Sequence, residues 1–231
     1  MHLNIQTTTS VEEVAEFLAR GVLRQLNKEK KVLFFVTGGS SIAVGVRAVE
    51  LLRNQISTGL AKLLTITITD ERYGEVGHKD SNWQQLKDQG FGLKDAKFIP
   101  VLSGEDFETT ISNFNKNLER EFKENKYKIG LFGIGADGHT AGILSASGAV
   151  LSPDSAFGYK TPTFSRITMT GQAISQLDEA VVFMQGKEKW PVLEDLEKDI
   201  DIIKQPAQIL KKVPLLIIFT DFKNNYIVNE K

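Results

Sequence analysis

From Val11 to Leu26 the apolar residues Val11, Val14, Ala15, Leu18, Val22 and Leu26 return at helical spacing, with charged side chains between them. Ser10, with Glu13 three residues on, reads as a capping box that opens this helix. The period then changes. Lys31–Val36 (KVLFFV) runs almost wholly apolar and stops at Thr37-Gly38-Gly39-Ser40-Ser41. So short a run, bounded by a turn, predicts a strand buried on both faces. A second helical pattern covers about 42–52. The β-branched run 63–69 (LLTITIT) predicts another strand, and Asp70-Glu71-Arg72 follows it as a loop.

The alternation continues. Residues 82–89 read as helix, 97–101 as strand and 105–122 as amphipathic helix. Ile129–Gly135 is a further apolar strand, ending in Ala136-Asp137-Gly138-His139-Thr140. Strands are expected at 166–170, 180–185 and 215–220, helices at 187–198 and 204–211, and the longest loop at 145–165. Strands alternating with helices imply βαβ units. The expected fold class is α/β: one domain over 1–231, a Rossmann-like, doubly wound, mostly parallel sheet with helices on both faces. Ligands bind such sheets at the carboxyl ends of the strands. Three loops at such ends, 37–41, 70–82 and 135–142, carry unusual polar sequence.

Composition narrows the chemistry. Among 231 residues, 28 Lys+Arg nearly balance 29 Asp+Glu, which removes the general electrostatic footprint of a nucleic-acid or anionic-membrane binder. A local cluster of positive charge is still compatible with it. The absence of cysteine excludes disulfides, thiolate nucleophiles and cysteine-ligated zinc together. The N-terminal residues lack a basic stretch followed by an apolar core, and the longest apolar runs are far shorter than a bilayer span of about 20 residues. The expectation is a cytoplasmic protein with no nucleic-acid or membrane partner.

In the 37–41 loop, Gly38 and Gly39 let the backbone approach a ligand, while Ser40, Ser41 and the following helix start offer donors to an anion. Taken alone, the same residues read more readily as a tight turn with a serine cap. Neither G-x-G-x-x-G nor G-x-x-x-x-G-K-[ST] is present. Asp70-Glu71-Arg72 sets carboxylates beside a guanidinium, either a ligand-binding cluster or a solvated ion pair. In Gly133–Thr140, glycines flank Asp137 and hold it two residues from His139. An imidazole with an unperturbed pKa near neutrality takes a proton from water, and a nearby carboxylate orients it. Scattered histidines without cysteine make a weak metal ligand set. Lys189, early in a helix, opposes the helix dipole unless an anion binds there. Arg166 is the remaining candidate cation.

In order, these segments resemble the 6-phosphogluconolactonase family, within the wider glucosamine-6-phosphate isomerase/deaminase superfamily. The matching pieces are Thr37-Gly38-Gly39-Ser40, Asp70-Glu71-Arg72 with Ser81-Asn82, and Gly133–Ala141. Arg166–Thr170, Gly186-x-x-Lys189 and Pro206-Ala207 continue the match. The resemblance implies a metal-independent, cofactor-free hydrolase that opens the δ-lactone of 6-phospho-D-glucono-1,5-lactone in the oxidative pentose phosphate pathway. It implies that His139 activates water and that Asp137 orients the site. Gly38, Gly39, Ser40, Asp70, Arg72, Asn82, Arg166 and Lys189 would hold phosphate and sugar. The partner is a small sugar phosphate, the assembly a monomer or small homo-oligomer. Ser41-Ile42, Tyr73-Gly74 and Gly142-Ile143-Leu144-Ser145 depart from the family pattern, chiefly where selectivity is set. Glucosamine-6-phosphate deaminases carry a glutamate where this chain has Leu144, and Asp-Glu-Tyr where it has Asp70-Glu71-Arg72. A non-catalytic sugar-phosphate sensor is the alternative of another class. Such sensors add a helix-turn-helix, for which the residues before the first expected strand leave no room.

Overall fold

The computed structural model describes residues 3–223. The chain begins with strand β1 (Asn4–Thr7), helix α1 (Val11–Leu26), β2 (Val32–Val36), α2 (Ile42–Arg53) and the single-turn α3 (Thr58–Ala61). Next come β3 (Leu64–Ile68), β4 (Asp70–Arg72), α4 (Asn82–Asp88), β5 (Lys97–Ile99), α5 (Phe107–Glu124) and β6 (Tyr127–Phe132). The remainder is β7 (Ala156–Lys160), β8 (Ser165–Met169), α6 (Gly171–Ile174), β9 (Glu179–Met184), α7 (Trp190–Leu196) and β10 (Leu215–Thr220).

Seven strands form one parallel sheet in the order β1-β10-β9-β6-β2-β3-β5. Every residue of β2 is fully buried, as its unbroken apolar run requires of a strand covered on both sides. Successive side chains of β2 meet different helices. Val36 packs against Gly45 of α2, while the Phe35 ring stacks on Phe122 of α5 with centroids 5.8 Å apart. The α/β sandwich expected from the alternation is therefore the observed one.

From β2 the chain moves outward to β3 and β5; from β6 it moves the opposite way to β9 and β10. The adjacent carboxyl ends of β2 and β6 thus form the topological switch point, where an open α/β sheet leaves its crevice. The loops 37–41 and 133–142 both open there.

Several expectations need correction. Asp70–Arg72 is a strand, not a loop: β4, β8 and β7 make a separate antiparallel sheet in that order. The strand expected at 166–170 consequently lies outside the parallel sheet, and the expected long loop 145–165 contains β7. A 3-10 turn at Lys187–Lys189 precedes α7, and 206–212 is 3-10 helix, not α-helix. Edge strand β1 was not expected; one apolar residue in NIQT leaves no periodic signal.

The opening of α1 also differs from a plain capping box. The Ser10 hydroxyl accepts from Glu13 N, but the Glu13 carboxylate accepts the Thr8 hydroxyl at 2.6 Å, and Thr8 Oγ1 in turn accepts Ser10 N. Thr8 relays what the box makes directly.

Candidate active site

A cleft of about 380 Å³ lies over the switch point. Gly38, Gly39, Ser40, Asp70, Arg72, Asn82, His139, Arg166 and Lys189 all line it, together with Gly133, Gly135, Ala141 and Gly142. Residues from positions 38 to 189 are thus brought together by the sheet's connectivity. Asp137 does not line the cleft; it stands behind His139.

The chain after β6 folds back on itself. Gly135 N donates to His139 O at 3.0 Å, Gly138 N to Gly135 O at 3.0 Å, and the Thr140 hydroxyl to Gly133 O at 2.8 Å. A Cβ on Gly135 would meet His139 Cε1 and Nδ1 at 2.3 Å and Asp137 Oδ1 at 2.7 Å, so only glycine lets the ring lie so close. His139 Nδ1 sits 2.5 Å from Asp137 Oδ1. A carboxylate only accepts, so the proton of this bond is on Nδ1, which leaves Nε2 with the lone pair whenever the ring is neutral. Burial works to raise the Asp137 carboxyl, but the hydrogen bond and charge of His139 outweigh it and hold the group below the usual carboxylate range. The His139 side chain remains 38% exposed, open to water and to a ligand.

Beyond His139, Ala141 takes φ +50, an unfavourable left-handed conformation for a residue with a side chain. The Thr168 hydroxyl on Ala141 O and the Tyr159 hydroxyl on Gly142 O hold this bend. Both donors come from the small antiparallel sheet, which thereby shapes the loop from outside the parallel core.

That sheet also delivers the cations. Arg72 and Arg166 are direct cross-strand partners in the β4–β8 ladder. Arg166 Nη1 lies 3.7 Å from Asp70 Oδ2, and Arg72 Nη1 donates to Asp80 O at 3.0 Å. Asn82, 1% exposed, donates from Nδ2 to Asp70 O at 2.8 Å, and its Oδ1 lies against Gly38. Lys189 approaches from the opposite half of the chain, with Nζ 3.5 Å from Ser40 Oγ. The local positive cluster that near-neutral composition permits is present.

Two supporting residues were not among the expected site residues, although Glu71 lies within the Asp70-Glu71-Arg72 segment. Glu71 is fully buried and accepts from Arg72 N, Asn82 N, Trp83 N and the Ser81 hydroxyl, tying β4 to the start of α4. Burial pushes its carboxyl up, against the pull of those four donors. Asp221 accepts from Gly186 N and from Trp190 Nε1, which fixes the turn that carries Lys189; chiefly the Trp190 bond holds its carboxyl low. Nothing local marks the partners of Glu71 at Ser81, Asn82 and Trp83, and an acidic residue after a last strand, such as Asp221, is too common to single out.

Residues 6–216 match the family of glucosamine-6-phosphate isomerases/6-phosphogluconolactonase. This chain belongs to that family. A 6-phosphogluconolactonase of Helicobacter pylori is 30% identical over 141 residues, 58% of this chain and 60% of the relative; the match thus spans about 60% of that relative's length. A 6-phosphogluconolactonase of Borreliella burgdorferi is 25% identical over 213 residues, 87% of this chain and 88% of its own. Among solved structures, the 6-phosphogluconolactonase of Thermotoga maritima has a TM-score of 0.79 at 19% identity, covering 95% of this chain and 99% of that one. A monomeric glucosamine-6-phosphate deaminase is also similar, with a TM-score of 0.75 at 18% identity over 94% and 97% of the two chains. At these identities the structural likeness speaks for the family's fold. Among the described residues no helix is long and apolar enough to cross a membrane.

Proposed function

We propose that this chain hydrolyses 6-phospho-D-glucono-1,5-lactone to 6-phosphogluconate, with His139 as general base and without a metal ion. The observation that carries the reading is the Asp137–His139 pair opening onto a cleft that also holds Arg72, Arg166 and Lys189. An anionic sugar phosphate is drawn in by the cations, and the pair supplies the acid–base chemistry that a lactone carbonyl needs. The two lactonase relatives support the choice of substrate.

In this reading His139 Nε2 takes a proton from water as the water oxygen attacks the lactone carbonyl carbon. The tetrahedral intermediate collapses with cleavage of the bond to the ring oxygen. The imidazolium returns its proton to that oxygen, leaving a hydroxyl and a carboxylic acid that ionises in water. Asp137 keeps the ring in the tautomer that leaves Nε2 free and stabilises its charged form. A δ-lactone is reactive enough for positioning and one general base to suffice. Among the described residues no three His, Asp or Glu side chains gather as ligands, and no step of this route needs a metal. Leu144 stands where the deaminases carry a glutamate, which leaves His139 without the second carboxylate of that activity. The protein would act as a single domain over 1–231, monomeric or a small homo-oligomer, in the cytoplasm.

The test mixes purified protein with freshly generated lactone at neutral pH and follows proton release above the spontaneous rate, with and without a chelator. Acceleration that survives chelation and collapses in His139→Ala, while 6-phosphogluconate still binds, is expected. No acceleration, or full activity in the alanine variant, overturns the reading. Ammonia release from glucosamine 6-phosphate would favour the deaminase.

A further inference from the structure

Between β7 and β8 the chain reverses in a tight turn, Thr161–Phe164. Thr161 locks it: its N–H donates to Phe164 O at 2.8 Å, its hydroxyl donates to the same oxygen at 2.9 Å, and Phe164 N donates to Thr161 Oγ1 at 3.0 Å. The half-buried ring held there faces two guanidinium groups. Arg72 Cζ lies 5.4 Å and Arg166 Cζ 5.7 Å from its centroid, both within cation–π range.

Like charges directly opposite one another on a ladder repel. Among the described residues only Asp70, 3.7 Å from Arg166, offers either of them a carboxylate. The Nε–H groups of both arginines are buried without an oxygen acceptor. What the two cations share is contact with the aromatic ring of Phe164. An aromatic face stabilises a positive charge without neutralising it and without occupying the donors that would grip an anion. A carboxylate in the same place would compete with the ligand.

We propose that Phe164 is a positioning residue for the cleft. It holds Arg72 and Arg166 side by side as one doubly charged receptor for the anionic group of the ligand, and so sets affinity but not turnover. This inference rests on the sugar-phosphate reading of the cleft.

The experiment compares Phe164→Ala, Phe164→Leu and Phe164→Tyr with the parent chain. Lactone hydrolysis gives KM and kcat, and calorimetric titration with inorganic phosphate and with 6-phosphogluconate gives Kd. Loss of cation–π contact to two partly desolvated guanidiniums should weaken Kd and raise KM by about tenfold or more in Phe164→Ala, with kcat within about twofold of the parent. Phe164→Leu, which restores bulk but no π face, should stay weak, and Phe164→Tyr should recover parental binding. A leucine variant equal to the parent overturns the inference, as does a loss of kcat at constant KM. Because the titrations need no turnover, they decide the role of Phe164 even if the chain fails to open the lactone. Conversely, a chain that opens the lactone and shows a flat titration series refutes Phe164 alone.

Discussion

Gly38→Ala isolates how closely the glycine loop and the small sheet fit. Gly38 has φ −84 and ψ −163, a conformation open to any residue, so backbone strain plays no part. The added Cβ, however, would lie 2.1 Å from Asn82 Oδ1 and 2.3 Å from Asn82 Cγ. To reach ordinary contact the amide must retreat by more than an ångström, in a site where Asn82 is 1% exposed. That retreat breaks the 2.8 Å bond from Nδ2 to Asp70 O, worth about 1 kcal/mol net. Overpacking adds about 1–3 kcal/mol. The sum, about 2–4 kcal/mol, corresponds to a Tm loss of about 5–15 °C for a domain this size. Thermal and urea unfolding of Gly38→Ala, Asn82→Ala and the double variant measure the coupling. Asn82→Ala should be costly alone yet absorb most of the Gly38→Ala penalty, for a coupling of at least about 1 kcal/mol. Gly39→Ala is the control. Its φ of +65 in open space predicts about 1–2 kcal/mol of strain with no dependence on Asn82. Additivity of Gly38→Ala with Asn82→Ala to within about 0.5 kcal/mol would refute the steric reasoning.

Asp137→Asn should lower kcat by about 100-fold or more, because an amide can present its N–H to Nδ1 and trap the wrong tautomer; KM should change little. The same variant should flatten the acid limb of the stability profile. The Asp137 carboxyl sits below its usual range when folded, so its contribution is complete above the ordinary carboxylate pKa near about 3.9 and is lost as pH falls through the lowered value. Tm against pH checks this, and superimposable curves would contradict it. Glu71→Gln removes a buried charge yet should destabilise by about 2–4 kcal/mol, since the new amide N–H groups must face backbone donors that now find a carboxylate. An unchanged urea midpoint would show that the four contacts contribute little.

How much of this was legible in the sequence depends on which force shaped each segment. β2, β3, β9 and β10 are buried on both faces, and continuous apolar runs announce them. β4 is also buried, yet it reads Asp-Glu-Arg. Its carboxylates are satisfied by partners more than ten residues away, such as Asn82 and Arg166, and a pattern rule that equates charge with exposure turns it into a loop. Arg166–Thr170 was recognisable as extended, but no local pattern says that its neighbours are β4 and β7 and not the parallel sheet. Gly38, His139 and Lys189 converge on one cleft because they stand near strand ends where the fold class already places ligands, and Asp137 bonds to His139 beside it. Phe164 was invisible. An aromatic residue in a turn acquires meaning only when two arginines, 92 and 2 residues away in sequence, close on it.

The division of the cleft between two sheets has an evolutionary corollary. Asp137 and His139 stand on the loop that follows β6 of the parallel sheet, while Arg72, Arg166 and Phe164 ride on a three-stranded appendage joined to that sheet through Thr69, through the loop after β6 and through α6. On the proposed reading, drift in the 161–164 turn would retune which anion is gripped and leave the Asp137–His139 pair untouched. A library randomised at those four positions alone is the economical place to search for new sugar-acid substrates on this scaffold.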